Sequence, residues 1–244
     1  MRGLTASDIL KVWEWGRDRH MIDRALLLLN AADPSTTPEA LSALTVGQRD
    51  ARLLALRAAT FGDAVEGLAE CIHCSAALGF VVQGSDLLVP DQPQDAGEPV
   101  EAEAYGVRLT VRPPDSRDLT HIAAAPNVEV ARQLLLRRCI KTAVWDGAEL
   151  AFSEIPESVV ARVPDLIAAR DPQADITLAL NCQTCGQAGE IAFDIARFFW
   201  MELAGKARRL LHEVHALASA YGWSEADILA LSPERRRMYV EVAA

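Results

Sequence analysis

Apolar side chains recur at three- and four-residue steps through the first sixty residues. Ile9, Leu10, Trp13, Ile22, Leu26 and Leu29 predict helix over residues 7 to 32, with Thr5 or Ser7 placed to cap its start and Gly16 placed to bend or split it. Asp33-Pro34-Ser35-Thr36-Thr37-Pro38 is a turn signal. A short helix is expected from Pro38 to Leu44 and a longer one from Val46 to Phe61, stopped by Gly62. In the longer one Leu53, Leu54 and Leu56 form the apolar side, and Arg49, Arg52 and Arg57 are expected to reach solvent.

The period then shortens. Leu78-Gly79-Phe80-Val81-Val82 reads as strand, and Val107 to Arg112 alternates as a half-buried strand does, up to Pro113-Pro114. Between them, residues 86 to 104 hold six acids, three prolines and no Lys or Arg, which predicts an exposed, weakly ordered connection. Asp115 or Ser116 should cap a helix running to about Ala124. A second helix is expected from Val128 to Val144, with Val130, Leu134, Leu135 and Cys139 inward, and a third from Pro156 to Ala169 despite Pro164. Two strands follow, Ile176–Leu180 and Glu190–Ile195. The remainder reads as helix. One runs from about Arg197 to Tyr221 with Gly222 as its left-handed stop, one is capped by Ser224-Glu225-Ala226-Asp227, and one is opened by Ser232-Pro233.

One internal repeat carries chemistry. Cys71 and Cys74 recur as Cys182 and Cys185, and at the same offset along the chain Phe80 and Val82 recur as Ile191 and Phe193. A two-residue spacer in a tight turn lets both sulfurs of a pair face one ion, and two such turns supply a tetrahedron of thiolates. Soft donors of this kind favour zinc or an iron–sulfur centre. Four protein ligands leave no open position, so the expected role of the ion is structural. The long insertion between Cys74 and Cys182 does not forbid the site, because closure entropy rises only logarithmically with loop length. Each pair is read as preceding a strand, whereas a thioredoxin-like redox dithiol starts a helix.

Composition narrows the function classes. The 244 residues carry 24 Lys and Arg against 34 Asp and Glu, a net charge of -10, which opposes broad binding to nucleic acid or anionic lipid. No run approaches the roughly 20 apolar residues of a membrane span. Charged residues from Asp8 to Asp23 interrupt any signal-peptide core, so a cytoplasmic location with reduced thiols is expected. Other candidates weigh less. His73 lies between the first two cysteines and is expected to face solvent. His212 and His215, three apart on a helix, lack a further ligand. Arg235-Arg236-Arg237 reads as a solvated face or protein contact, and Cys139 as a small core residue. Trp15 and Trp223 are candidate interface anchors beside their packing roles. No phosphate loop, nucleophile elbow or HExxH is present, and no catalytic residues are expected.

The order of features resembles the baseplate (hub or hub-assembly) proteins of T4-type contractile phage tails and their relatives in phage-like contractile injection systems. The residues that carry it are Val12-Trp13-Glu14, Asp23 to Leu29, Gly47-Gln48-Arg49-Asp50-Ala51-Arg52, the two CxxC pairs, Arg112-Pro113-Pro114-Asp115 with Asp118-Leu119, and the segment from Leu211 through Tyr221-Gly222-Trp223 to Arg236. The resemblance implies a non-enzymatic structural or assembly protein. Its partners would be other baseplate, hub or spike proteins, its place the cytoplasm or a tail particle, and its zinc ligands Cys71, Cys74, Cys182 and Cys185.

The expected fold is α+β and predominantly helical. A zinc-ribbon-like four-cysteine module of short antiparallel strands is formed by residues 67–90 with 174–196. Residues 1–66 are expected as an N-terminal helical region, 91–173 as an insertion with a strand and helices, and 197–244 as a C-terminal helical region. The alternative function is a nucleic-acid-binding zinc-ribbon accessory protein. Glu66, Glu70, Asp86, Asp175, Glu190 and Asp194 near the cysteines oppose it, since they repel phosphate. A thiol redox enzyme is the third reading.

Overall fold

The computed structural model describes residues 2–90, 93 and 95–243. The N-terminal helical stretch is two helices, α1 (Ala6–Gly16) and α2 (Met21–Ala32), capped by Thr5 and His20. Packing forces the break. A Cβ on Gly16 would lie 2.5 Å from the Trp200 ring. Arg24 lies over that same ring, 4.5 Å from its centroid, and donates to the carbonyls of Gly16 and Arg17 at 2.8 and 2.6 Å. These are carbonyls that the end of α1 leaves without intrahelical donors.

Short helix α3 (Pro38–Ser42) leads to α4 (Val46–Phe61), where Thr45 and Gln48 form a capping box. The long helix α9 (Ile195–Tyr221) packs across α1, α2 and α4. Leu10, Leu28, Leu53, Leu56, Phe199 and Leu203 lie in their shared core. Arg49 and Arg57 do not reach solvent, contrary to the helical-wheel expectation; both are buried. Arg49 pairs with Asp50 at 2.7 Å, and Arg57 grips Glu202 at 2.7 and 2.9 Å and the carbonyls of Gly62 and Ala64. Internal carboxylates hold them in place, which periodicity alone does not reveal.

Two antiparallel hairpins follow the same plan. Strands β1 (Ala64–Glu70) and β2 (Ala77–Gln83) form the first, and β7 (Thr177–Asn181) with β8 (Ala188–Ala192) the second. Strand β8 starts and ends earlier than expected, because Asp194 leaves the strand to cap α9. Ile176, Leu178, Phe80, Val82 and Phe193 seat both hairpins on the helical core.

Between the hairpins, β3 (Val100–Ala104), β4 (Val107–Val111), β5 (Ile140–Trp145) and β6 (Ala148–Glu149) form one antiparallel sheet in that order. Helices α5 (Ser116–Ile122), α6 (Val128–Cys139), α7 (Glu157–Val160) and α8 (Val163–Arg170) accompany it. Leu109, Val111, Leu136, Cys139, Ala143 and Val159 are buried in a second core there. Three expectations change. The end of the acidic connection is strand β3, paired with β4 from Val100↔Val111 to Ala104↔Val107, so Ala102 and Ala104 turn inward between exposed Glu101 and Glu103. Asp91, Gln92 and Gln94 of that connection lie outside the described residues. The helix expected to Val144 ends at Cys139, and the β-branched run from Ile140 continues as β5 against β4. The third helix is split between Val160 and Val163, just before Pro164.

This segment is stitched to the N-terminus of α4. Val46 donates its N–H to the Pro114 carbonyl at 3.1 Å, and Gly47 donates to the Asp171 carboxylate at 2.9 Å. Fully buried Asp118 accepts from Arg112 at 2.6 and 2.9 Å, from Arg138 at 2.6 Å and from the Asp115 N–H at 3.0 Å. Among the described residues, no helix is long and apolar enough to cross a membrane.

Candidate metal centre

Each cysteine pair occupies the turn between the two strands of a hairpin. In the first turn the Cys71 N–H donates to the Ala76 carbonyl and the Ser75 N–H to the Cys71 carbonyl, both at 2.9 Å. In the second the Cys182 N–H donates to the Gln187 carbonyl and the Gly186 N–H to the Cys182 carbonyl, again both at 2.9 Å. The strand ladders repeat as well. Glu66↔Val81 through Glu70↔Ala77 recur, at the offset of the cysteines, as Thr177↔Ala192 through Asn181↔Ala188. The equal spacing of the cysteines is thus the visible part of two matching hairpins.

The two turns face one another. Sγ of Cys71 lies 3.8 Å from Sγ of Cys185, and Sγ of Cys74 lies 3.7 Å from Sγ of Cys182. All four sulfurs fall within 4.8 Å of one another. A tetrahedron with metal–sulfur bonds of about 2.3 Å has edges of about 3.8 Å. The observed separations fit that figure and exceed the roughly 2.05 Å of a disulfide. Cys71 and Cys182 are buried and Cys74 and Cys185 exposed, the same inner–outer order in each copy. Leu78, Ala76 and Leu180 pack against the inner sulfurs. The Cys185 backbone N–H, joined by that of Thr184 and outweighing desolvation, draws the Cys182 thiol down to about 6. At Cys74 and Cys185 the backbone N–H groups of Ala76 and Gln187 favour the thiolate too, but desolvation and the neighbouring thiols outweigh them and push both thiols up.

The other candidates are placed apart. His73 sits at the rim, with its Nε2 3.3 Å from the Ala188 carbonyl and its backbone N–H 3.5 Å from the Cys71 sulfur. His212 and His215 are exposed on α9, and the group of metal-ligating side chains found among the described residues is the four cysteines. Cys139 is fully buried in the second core, and burial pushes its thiol up to about 12. Trp15 is exposed, whereas Trp223 stacks on Tyr221 at 4.8 Å and meets Tyr239 edge-on. The arginine run at 235–237 is not a uniform solvated face. Its middle member, Arg236, is buried and binds Glu213 at 2.9 Å and the Leu231 carbonyl at 2.6 Å.

Strand β1 is the part of the site that periodicity misses. Its inward positions are Val65, Gly67 and Ala69, while Leu68 points outward and is 80% exposed. Small residues inside and a large one outside hide the alternation. The repeat itself supplies the missing signal, since residues 176–180 read plainly as strand and their counterparts are 65–69.

Comparison with known proteins adds one finding. A family model described as T4 bacteriophage base plate protein matches residues 27–200, a span that includes both cysteine turns. No curated protein and no solved structure matches.

Proposed function

Since the chain belongs to the T4 bacteriophage base plate protein family, we propose that it serves as a non-enzymatic structural or assembly component of a contractile tail or phage-like injection-system baseplate, with a structural zinc held by Cys71, Cys74, Cys182 and Cys185. The family match over most of the chain carries the first half of this reading. The four-sulfur geometry supports the second. Two hairpins from distant parts of the chain present four soft donors at tetrahedral spacing, with the inner pair packed against apolar side chains. An ion bound there would be coordinatively closed. It would tie the N-terminal hairpin to the C-terminal one and so hold the whole insertion between Cys74 and Cys182 on the helical core. In this reading the module is a divided zinc ribbon, and the partners are other baseplate, hub or spike proteins.

Deletion of the gene in its own phage or injection-system background tests the role. The expected result is loss of complete contractile particles, restored by the intact gene. Normal particles in the deletion would sink the reading. Elemental analysis of the purified chain tests the ion, with one zinc per chain expected.

A further inference from the structure

A groove of about 900 Å³ runs between α1, α4, α9 and the C-terminal helices α10 (Glu225–Ala230) and α11 (Pro233–Ala243). Leu4, Ile9 and Phe61 contribute apolar surface to it, and on α9 Met201 borders it while 56% exposed. Lys206 and Arg209, one and two turns further along α9, line the same groove. Neither side chain forms an ion pair or hydrogen bond among the described residues, and α9 itself shows why.

Glu202, four residues before Lys206, is the helix neighbour that would ordinarily pair with it. It is held by buried Arg57 at 2.7 and 2.9 Å. Glu213, four residues after Arg209, is held by buried Arg236 at 2.9 Å. Both α9 carboxylates four residues from these cations are therefore committed to arginines from other elements, and Glu66 of β1, the other carboxylate of the lining, forms no ion pair with either cation among the described residues. In a chain of net charge -10, Lys206 and Arg209 together outweigh Glu66 and leave a local cationic excess over a cleft of mixed apolar and polar lining. Most of this lining, including Leu4, Ile9, Met201, Lys206 and Arg209, lies outside the span matched by the family model.

We propose that this groove docks a segment of a partner protein that carries apolar anchors flanked by carboxylates, with Lys206 and Arg209 receiving the carboxylates. Two cations are too few to hold nucleic acid on so acidic a chain. The cleft suits an amphipathic helix or strand laid along it. The inference deepens the scaffold role proposed above and rests on it only for the source of the segment.

The test uses the full chain and a fluorescein-labelled peptide with a leucine stripe flanked by glutamates, followed by fluorescence anisotropy. Saturable binding is expected. It should weaken by about tenfold or more in the K206E/R209E double variant, as attraction becomes repulsion. A peptide with lysine at every glutamate position should not bind. The neutral K206Q/R209Q variant, which adds no charge beside Glu202 and Glu213, should melt with the parent chain and still lose part of the binding, since neither side chain has a partner to lose. Absence of saturable binding, or equal binding by the double variant, overturns the proposal. So does self-association of the chain that the double variant abolishes, because the groove then holds a second copy. Particle formation reads the scaffold role separately, so a failed peptide titration with normal complementation sinks the groove alone.

Discussion

Ser75 and Gly186 hold the same left-handed backbone, φ 58° and 72°, at matching positions of the two cysteine turns. Glycine adopts that conformation freely, whereas serine pays about 1 kcal/mol for it. Nothing lies within 4 Å of a Cβ built on Gly186, so any penalty there comes from the backbone alone. Ser75→Gly is expected to raise stability by about 0.5 kcal/mol, and Gly186→Ala to lower it by about 1 kcal/mol. Chemical denaturation of the two variants checks both signs. Equal effects of the same sign would show that the turns are not equivalent.

Cys71→Ser or Cys182→Ser is expected to abolish stoichiometric zinc and destabilise the chain by several kcal/mol, because metal binding and folding share one free energy. Cys139→Ser leaves the metal content unchanged and lowers stability through its buried hydroxyl. Elemental analysis paired with thermal melts separates the two classes. A chain that kept a full equivalent of zinc without Cys182 would remove the four-thiolate assignment.

Gly67 and Phe80 lie opposite each other in the first hairpin, where the second has Leu178 and Ile191. A Cβ on Gly67 would lie 2.5 Å from the Phe80 ring, so the two hairpins share their volume differently, as small plus large or as two of middle size. Gly67→Leu alone is expected to cost about 1–3 kcal/mol. Gly67→Leu with Phe80→Ile should recover part of that loss, giving a coupling of about 1 kcal/mol in a double-mutant cycle. Strict additivity would contradict the equivalence of the two pairs.

Asp118 sets a pH dependence. Although burial opposes its charge, the Arg112 and Arg138 guanidiniums and the Asp115 N–H hold the carboxyl well below the usual range. A group depressed in the folded state stabilises fully above its unfolded pKa, near 3.9, and loses that contribution as pH falls from there towards its folded value. Asp118→Asn is therefore expected to cost about 1.5–3 kcal/mol at pH 7 through the lost charged hydrogen bonds, with Arg112 keeping Asp115 at 3.7 Å, and to flatten the decline of stability below about pH 4. Urea midpoints from pH 2.5 to 7 give both quantities. A variant with an unchanged acid limb would show that other carboxylates govern it.

The cysteine site was legible because its signal is local and chemical: two spacers and one repeat distance. The long helices were legible because their periodicity is sustained, as in α9 from Phe199 to Leu217. What escaped was decided by distant packing. The split at Gly16 itself was legible, but its cause was not, since nothing near Gly16 in the chain announces Trp200, which together with Arg24 enforces the break. Arg57 looks solvent-bound until Glu202 is placed, and Arg49, paired with adjacent Asp50, is enclosed only by the fold around both. Strand β5 was readable in principle, since Asp146-Gly147 adopts φ 48° and 80°, the signature of a two-residue hairpin turn, directly after Ile140–Trp145. There, sustained helical spacing from Val128 masked a change of period.

The division of the sulfur donors also imposes an order on biosynthesis. Cys71 and Cys74 leave the ribosome long before Cys185, so an unfinished or truncated polypeptide carries only a bare dithiol. Completion of the four-donor set thus reports that most of the chain has been made and folded back on itself.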